Sequence, residues 1–178
     1  MKFKQLLFGQ EVKEKLLKGV NATVDMVAIT LGPRGRNVGI EKGENQMILH
    51  DGVSVSDSIF LEDKYENFAA QVVKQAAKQQ LQLVGDGTSV TMILAQGIFS
   101  ECVKIISTGV NAMSLIKGLE DGANKLIAEL DQIATPVKTL EEKIQVATIS
   151  AEDEELGKMI GETLDKIGAD WIITVEDS

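Results

Sequence analysis

Apolar residues recur at intervals of three and four along most of the chain, which is the period of helices that bury one face. The pattern predicts three long helices with one apolar stripe each and two shorter helices. The long ones run from about Gln10–Thr30, Asp63–Val84 and Ala112–Ile133, and the short ones from about Leu140–Thr148 and Glu152–Ile167. The pair Thr135–Pro136 interrupts the pattern, because proline cannot continue a helix. We therefore expect a domain boundary there.

Helix ends are marked by residues that favour caps. Asp63 with Glu66 three residues later is close to a capping box, and Asn111 is suited to cap the next helix. Gly109 and Gly168 stand where helix-terminating glycines belong.

Strands are expected only in short segments. The sequences "NVGIEK" (37–42) and "QMILH" (46–50) predict a strand pair. The stretch "DGVSVSDSIFLED" (51–63) alternates and predicts a short strand or an extended connector. The sequence "WIITVEDS" (171–178) predicts a last strand that has no visible partner, as in the first portion of a longer protein.

The stretch Thr88–Thr108 has apolar residues nearly all the way round a helix. Such a helix belongs inside a larger core, yet each of the other long helices offers a single apolar stripe. We expect uncovered apolar surface and self-association. Cys102, the single cysteine, is expected to be a small buried hydrophobe and cannot form an internal disulfide.

Composition narrows the class of protein. The 178 residues are 44% apolar and 25% charged, which is typical of a globular protein. A net charge of -9 argues against a nucleic-acid partner. We find no signal peptide and no window that approaches the ~18 apolar residues of a membrane span, so we expect no membrane partner and a reducing, cytoplasmic location.

The segment "GDGTS" (85–89) stands between two helices and predicts a phosphate site. Glycines let a backbone approach phosphate, and a helix N-terminus carries a partial positive charge. Asp86 would hold Mg²⁺ that bridges to phosphate, while Thr88 and Ser89 would donate hydrogen bonds. A plain helix-cap turn explains the same residues equally well. A Walker A loop and a dinucleotide fingerprint are both excluded by the sequence.

Two further turns are compatible with phosphate. "TLGPRGRN" (30–37) exposes backbone, and "HDGVSV" (50–55) adds an acid and the single histidine. Taken alone, the first is more simply a helix-to-strand connector and the second an Asp-Gly turn, with His50 on the surface. Three such turns in one acidic chain favour a shared site.

The motifs together resemble the opening of group I chaperonins of the GroEL type. The matching segments, in order, are "TLGPRGRNV", "DGVSV", "LEDKYENFAAQVVK", "GDGTS…ILAQ", "GVNAMSLIKGLEDG" and "TISAEDEELGKMIGETLDKIGADWIITVED". The resemblance covers essentially the whole chain. It implies a mainly α fold: a partial equatorial, ATP-binding domain with short β-strands at 1–134, then a partial intermediate domain at 135–178 that leads towards an apical domain.

The resemblance also implies roles for single residues. Thr30, Leu31, Gly32 and Pro33 would lie along the nucleotide. Asp51, in the loop with His50 and Gly52, would position the attacking water, and Asp86 would bind Mg²⁺. The phosphate cradle would be Gly87, Thr88 and Ser89. The implied cofactors are ATP and Mg²⁺, with K⁺ a further candidate. The implied partners are other subunits of a ring, with unfolded proteins and a co-chaperonin bound through domains outside this chain.

Departures from the family pattern bear on activity. His50 replaces the family's usual lysine, and Val90 replaces a threonine hydroxyl. The family's general-base aspartate would lie beyond Ser178, so we expect this chain alone to hydrolyse ATP at background rate, since general-base catalysis contributes ~10²–10⁴-fold. Two alternatives stay open: a non-catalytic interaction fragment that docks on full-length chaperonin subunits, and an unrelated small nucleotide-binding regulator.

Overall fold

The computed structural model describes residues 5–42, 45–151 and 153–168, and this part contains seven helices and one β-hairpin. The elements in chain order are α1 (Gly9–Ala28), β1 (Val38–Lys42), β2 (Asn45–Leu49), α2 (Gly52–Ser58), α3 (Lys64–Val84), α4 (Thr88–Ser107), α5 (Ala112–Ile133), α6 (Leu140–Ala151) and α7 (Glu154–Ile167). β1 and β2 pair antiparallel, with Val38 opposite Leu49. The predicted mainly α fold is confirmed. The predicted strand 171–178 lies outside the described residues.

The chain divides into two compact units, Met1–Leu119 and Glu120–Ser178. The division falls within α5, upstream of the Thr135–Pro136 break. It is a division by packing, and the assignment of 1–134 and 135–178 to two functional domains stays a prediction.

The first unit is built on a small aliphatic core. Val24 and Val27 of α1, Val55 of α2 and Met92 of α4 are fully buried. α3 contributes small residues to the same core, which lets the helices approach closely. At the crossing of α1 and α3, a Cβ on Gly19 would lie 2.1 Å from the main-chain oxygen of Glu66. Glycine is therefore required at that crossing.

The second unit contains the α6–α7 pair, which also packs through glycines. A Cβ on Gly157 would lie 2.2 Å from the Thr148 Oγ1, and one on Gly161 would lie 2.8 Å from the Ile144 Cα. The exposed ion pair Lys143–Asp165 joins the two helices at 2.7 Å. The backbones of α6 and α7 thus approach closely at these two glycines, where no side chain separates them.

The predicted caps are present. Asp63 accepts hydrogen bonds from the main-chain N–H of Tyr65 and Glu66, at 2.8 and 3.2 Å. The Asn111 side chain accepts from the N–H of Met113 at 2.9 Å. Gly109 and Gly168 follow their helices with φ of 94° and 89°. The Glu66 carboxylate does not complete a capping box, because it accepts instead from the Lys18 ammonium at 2.7 Å.

The strand or connector predicted at 51–63 is wrong over Gly52–Ser58, which forms helix α2, whereas Ile59 after the helix is extended. The residues buried there are Gly52, Val55 and Ser56, which are spaced as on one helix face rather than one strand face. Asp51 caps the helix, and the Ser56 hydroxyl donates to the Val53 carbonyl at 2.9 Å. These local hydrogen bonds outweigh the strand preference of the valines.

The apolar stripe that predicts α3 is buried only in part. The residues that share this stripe are Tyr65, Phe68, Ala69, Val72, Val73 and Ala76. The buried residues of the helix are Ala69, Ala70, Val73, Lys74 and Ala77. Phe68 and Val72 are 62% and 52% exposed. The small residues point into the helix crossings, so the larger ones of this stripe are left at the surface.

α4 is largely uncovered, as its sequence predicts. Its buried residues are Thr88 and Met92, whereas Leu94 is 60% exposed. The expectation that no window approaches the apolar length of a membrane span is wrong. By length and composition α4 could cross a membrane, with a mean hydropathy of 1.4. This is weak evidence, because one such helix can equally be a core helix, and α4 packs against α1 and α3.

Cys102 is half-buried rather than buried. It lines an apolar groove of about 440 Å³ in the first unit, together with residues of α1 and α3. The groove exists because the large side chains of α3 and α4 are not covered by another element of the described part.

Candidate functional site

The turn between α3 and α4 depends on two glycines. Gly85 and Gly87 have φ of 82° and 81°, in the left-handed region that favours glycine. The Gly85 N–H donates to the Leu81 carbonyl at 2.9 Å and so ends α3. Three residues, 85–87, then reverse the chain into α4. The glycines predicted to let the backbone approach phosphate are thus also required by the turn.

The first turn of α4 has no side-chain cap. α2 and α3, by contrast, each begin with an aspartate that accepts from their first N–H groups. The first N–H groups of a helix have no acceptor within the helix and carry its partial positive charge. Thr88 is buried and Ser89 is half-buried at this turn. The start of α4 is therefore open to an anionic acceptor.

Asp86 lies on the exposed side of the same turn. Its Oδ1 accepts from the Gly87 N–H at 2.5 Å, and its carbonyl accepts from the Gln80 amide at 3.2 Å. Within residues 5–42, 45–151 and 153–168 no group of three or more His, Cys, Asp or Glu could hold a metal ion. A magnesium ion at Asp86 would therefore need further oxygen ligands, such as phosphate or water.

Asp51 is the N-cap of α2. Its carboxylate accepts from the Ser54 N–H and hydroxyl, both at 2.9 Å, and from the Val53 N–H at 3.3 Å. Partial burial raises the pKa of Asp51, but the hydrogen bonds from Ser54 and Val53 and the neighbouring His50 outweigh it, so the pKa lies below its usual value. The carboxylate is thus held ionised and oriented.

α2 and α4 meet where their N-termini lie. A Cβ on Gly52 would lie 2.0 Å from the Ser89 Oγ and 3.1 Å from the Val27 Cγ1. Gly52 follows Asp51, and Ser89 follows Thr88, so two of the turns predicted from sequence lie side by side. Val27, at the end of α1, is the third member of this contact.

The third predicted turn continues from Val27. The Thr30 hydroxyl donates to the Val27 carbonyl at 2.8 Å, and the Gly35 N–H donates to the Gly32 carbonyl at 2.8 Å. Leu31, Gly32 and Pro33 are exposed. The loop thus leaves α1 at the contact between α1, α2 and α4, with an accessible backbone.

The predicted residues are not all in direct contact with one another. The segments 51–52 and 87–89 share a direct contact, and 30–33 is linked to it through Val27. His50 is exposed at the end of β2, beside Asp51 in the chain.

Two residues near the site were missed from sequence. Gln80 contacts the Asp86 turn, and Lys74 contacts the end of α2. Lys74 could have been found, because it stands on the same face of α3 as Ala70 and Ala77. Gln80 has no comparable signal.

Comparison with known proteins identifies relatives of this chain. The family model of the TCP-1/cpn60 chaperonin family matches residues 24–171 of this chain. Among solved structures, the chaperonin gp146 from the bacteriophage EL 2 (Pseudomonas aeruginosa), in the presence of ATP-BeFx, is similar with a TM-score of 0.77 and 25% identity over 92% of this chain.

A group III chaperonin in the open state is similar in fold, with a TM-score of 0.75 and 23% identity over 88% of this chain. The chain spans 29% of the phage chaperonin and 32% of the group III chaperonin. The similarity thus concerns about a third of each relative's length.

Proposed function

The chain belongs to the TCP-1/cpn60 chaperonin family, and from this membership we propose that its first unit is the ATP-binding portion of a chaperonin subunit. The observation that carries the proposal is the contact of Gly52 with Ser89. It joins an oriented carboxylate, Asp51, to a helix start that has no side-chain cap. The phage relative was solved in the presence of ATP-BeFx.

The residues fit the phosphates of ATP and one magnesium ion. The first N–H groups of α4 would donate to phosphate oxygens, and the hydroxyls of Thr88 and Ser89 would add donors. The Asp86 carboxylate would hold Mg²⁺, with phosphate oxygens as the other ligands. When bound, Mg²⁺ neutralises phosphate charge. K⁺ is a further candidate cation.

Other residues would orient the nucleotide and water. The exposed backbone of Thr30, Leu31, Gly32 and Pro33 would lie along the nucleotide. Asp51, held ionised by Ser54, would accept a hydrogen bond from the attacking water and so orient it. His50 and Gly52 complete this loop. The catalytic role of Asp51 is proposed for a complete subunit, in which a second carboxylate acts as general base.

The finer family assignment is also part of the proposal. The quoted motifs favour group I, residues 1–134 a partial equatorial domain, and 135–178 a partial intermediate domain. A complete subunit would assemble with others into a ring in the cytoplasm. It would hydrolyse ATP to refold unfolded proteins, with a co-chaperonin bound through other domains.

A second candidate is supported by the uncovered apolar side chains of the first unit. Leu94, Ile98 and Phe68 are each more than half exposed. A fragment that docks on full-length chaperonin subunits through these side chains, without catalysis, would bury them. This candidate requires binding to subunits and does not require nucleotide binding.

Calorimetric titration of ATP tests the leading proposal. The wild-type chain should bind ATP more tightly with Mg²⁺ than without it, and Asp86→Ala should lose that difference. Asp121→Ala, at an exposed aspartate on α5, is the matched control and should keep it. An equal magnesium dependence in wild type and Asp86→Ala would show that Asp86 is not the ligand. Absence of ATP binding, together with binding to chaperonin subunits, would favour the second candidate.

A further inference from the structure

A buried lysine lies where α2 ends. Lys74, in the middle of α3, is only 3% exposed. Its ammonium donates a hydrogen bond to the main-chain carbonyl of Ile59 and lies 4.9 Å from the centre of the Phe60 ring. Burial lowers the pKa of Lys74, and the nearby Asp57 carboxylate opposes that effect. An ammonium is strongly hydrated, so its burial is costly unless its donors are used.

The partners of Lys74 are the residues that terminate α2. Ile59 is the C-cap, and its N–H donates to the Ser56 carbonyl at 3.1 Å. One turn further along α3, the Lys78 ammonium contacts the Asp57 carboxylate at 2.9 Å. Both lysines thus tie α2 to α3, but Lys78 does so at the surface, where an ion pair contributes little.

α2 has seven residues and is too short to be stable without tertiary contacts. Its N-terminal end rests on Ser89 of α4 through Gly52. Its C-terminal end rests on α3 through the Lys74 hydrogen bond. Because so short a helix depends on its tertiary contacts, we expect loss of the contact at one end to loosen the other end as well.

We infer that Lys74 is a positioning residue that fixes where Asp51 and Gly52 lie relative to the first turn of α4. Its consequence for ATP rests on the proposed function, but its effect on α2 does not. If Lys74 only stabilised the C-terminal end of α2, its loss would change the protection of the Ile59 amide alone. If Lys74 positions the whole helix, its loss should also change the protection of the Val55 amide, whose N–H donates to the Asp51 carbonyl at 3.0 Å in the first turn.

Residue-resolved hydrogen exchange of the 178-residue chain without nucleotide tests the inference. Lys74→Met keeps an unbranched apolar side chain that is one atom shorter, but removes the ammonium and so leaves the Ile59 carbonyl without this donor. We expect exchange at Ile59 and at Val55 to rise about tenfold. The control Lys78→Met should change both by less than about threefold. The amide of Val20, in the middle of α1, should be unchanged in both variants and reports that the unit stays folded.

A rise at Ile59 alone, or at neither amide, would overturn the inference. If Val20 also loses protection in Lys74→Met, Phe60→Leu decides instead, because Phe60 is 75% exposed and the substitution takes away the ring that lies over the ammonium. A rise at Val55 in Phe60→Leu supports the inference, and no rise overturns it.

A nucleotide titration separates the two proposals. Lys74→Met should weaken the affinity for Mg-ATP, and Lys78→Met should leave it unchanged. If wild type binds no ATP, the proposed function fails while the exchange data still decide the role of Lys74. If wild type binds ATP and Lys74→Met binds equally well, Lys74 does not position the site.

Discussion

Gly52→Ala is the substitution that most directly perturbs the contact between α2 and α4. Gly52 is buried at the first position of α2, and its backbone is not in the left-handed region. Alanine is therefore compatible with the helix, and the cost comes from packing alone. The new Cβ would lie 2.0 Å from the Ser89 Oγ, where real contacts are rarely below 3.0 Å.

The expected cost follows from what can move. The Ser89 hydroxyl can rotate away, but the new methyl would still lie 3.3 Å from the Ser89 Cβ and 3.1 Å from the Val27 Cγ1. Such overpacking typically costs ~1–3 kcal/mol. Ser89→Ala in the same chain removes the closest atom, so the double variant should recover part of the loss. We expect a coupling free energy of at least ~0.5 kcal/mol.

Urea unfolding followed by circular dichroism measures these free energies. Gly97→Ala is the matched control, because a Cβ there meets nothing within 4 Å. It lies inside α4 and should stabilise the chain by up to about 1 kcal/mol. If Gly52→Ala is as well tolerated as Gly97→Ala, or if its cost is the same with and without Ser89→Ala, α2 and α4 do not meet as described.

Two further predictions concern stability and surface. The Lys15 ammonium and the N–H groups of the first turn of α3 lower the pKa of Asp63 to about 2, from 3.8. A depressed pKa contributes stability above pH 3.8 that is lost as the pH falls towards 2. Asp63→Asn should therefore flatten the acid side of a profile of melting temperature against pH. A profile that is unchanged from wild type would contradict this prediction. The exposed apolar side chains should bind a hydrophobic dye, and the double variant Leu94→Gln/Ile98→Gln should lower dye fluorescence and self-association at unchanged helix content. Equal dye binding by the double variant and wild type would show that Leu94 and Ile98 do not belong to the surface that binds the dye.

The helices could be predicted from sequence because their signals are local. The stripes of α1 and α5, the cap at Asp63 and the glycine at 109 each depend on neighbours within one or two turns. α2 was missed because Val53 and Val55 alternate with serines as in a strand, while its helix depends on the cap at Asp51 and on burial against α1 and α4. The buried face of α3 differs from its apolar stripe, because helix spacing alone does not tell which apolar residues fit a close crossing.

The sequence predicts the candidate site as three turns that favour one shared site, but not the contacts between them. The motif "GDGTS" shows glycines and hydroxyls, but nothing local shows that Ser89 touches Gly52, which is distant in the chain. The resemblance to chaperonins implies that these turns serve one nucleotide, and the contact of Gly52 with Ser89 brings two of them side by side. Lys74 stands on the same face of α3 as Ala70 and Ala77, but this signal is easily discounted because lysine is usually at the surface. Its burial depends on a carbonyl from another segment.

A footprint of Mg-ATP by hydrogen exchange tests the central claim most directly. With saturating Mg-ATP, the wild-type chain should gain protection in the segments 30–36, 51–55 and 85–91. The α6–α7 pair should not change, and Asp86→Ala should remove the protection at the same nucleotide concentration. Protection of the α6–α7 pair alone, or no protection at any concentration, would contradict the proposal that these three turns form one ATP site.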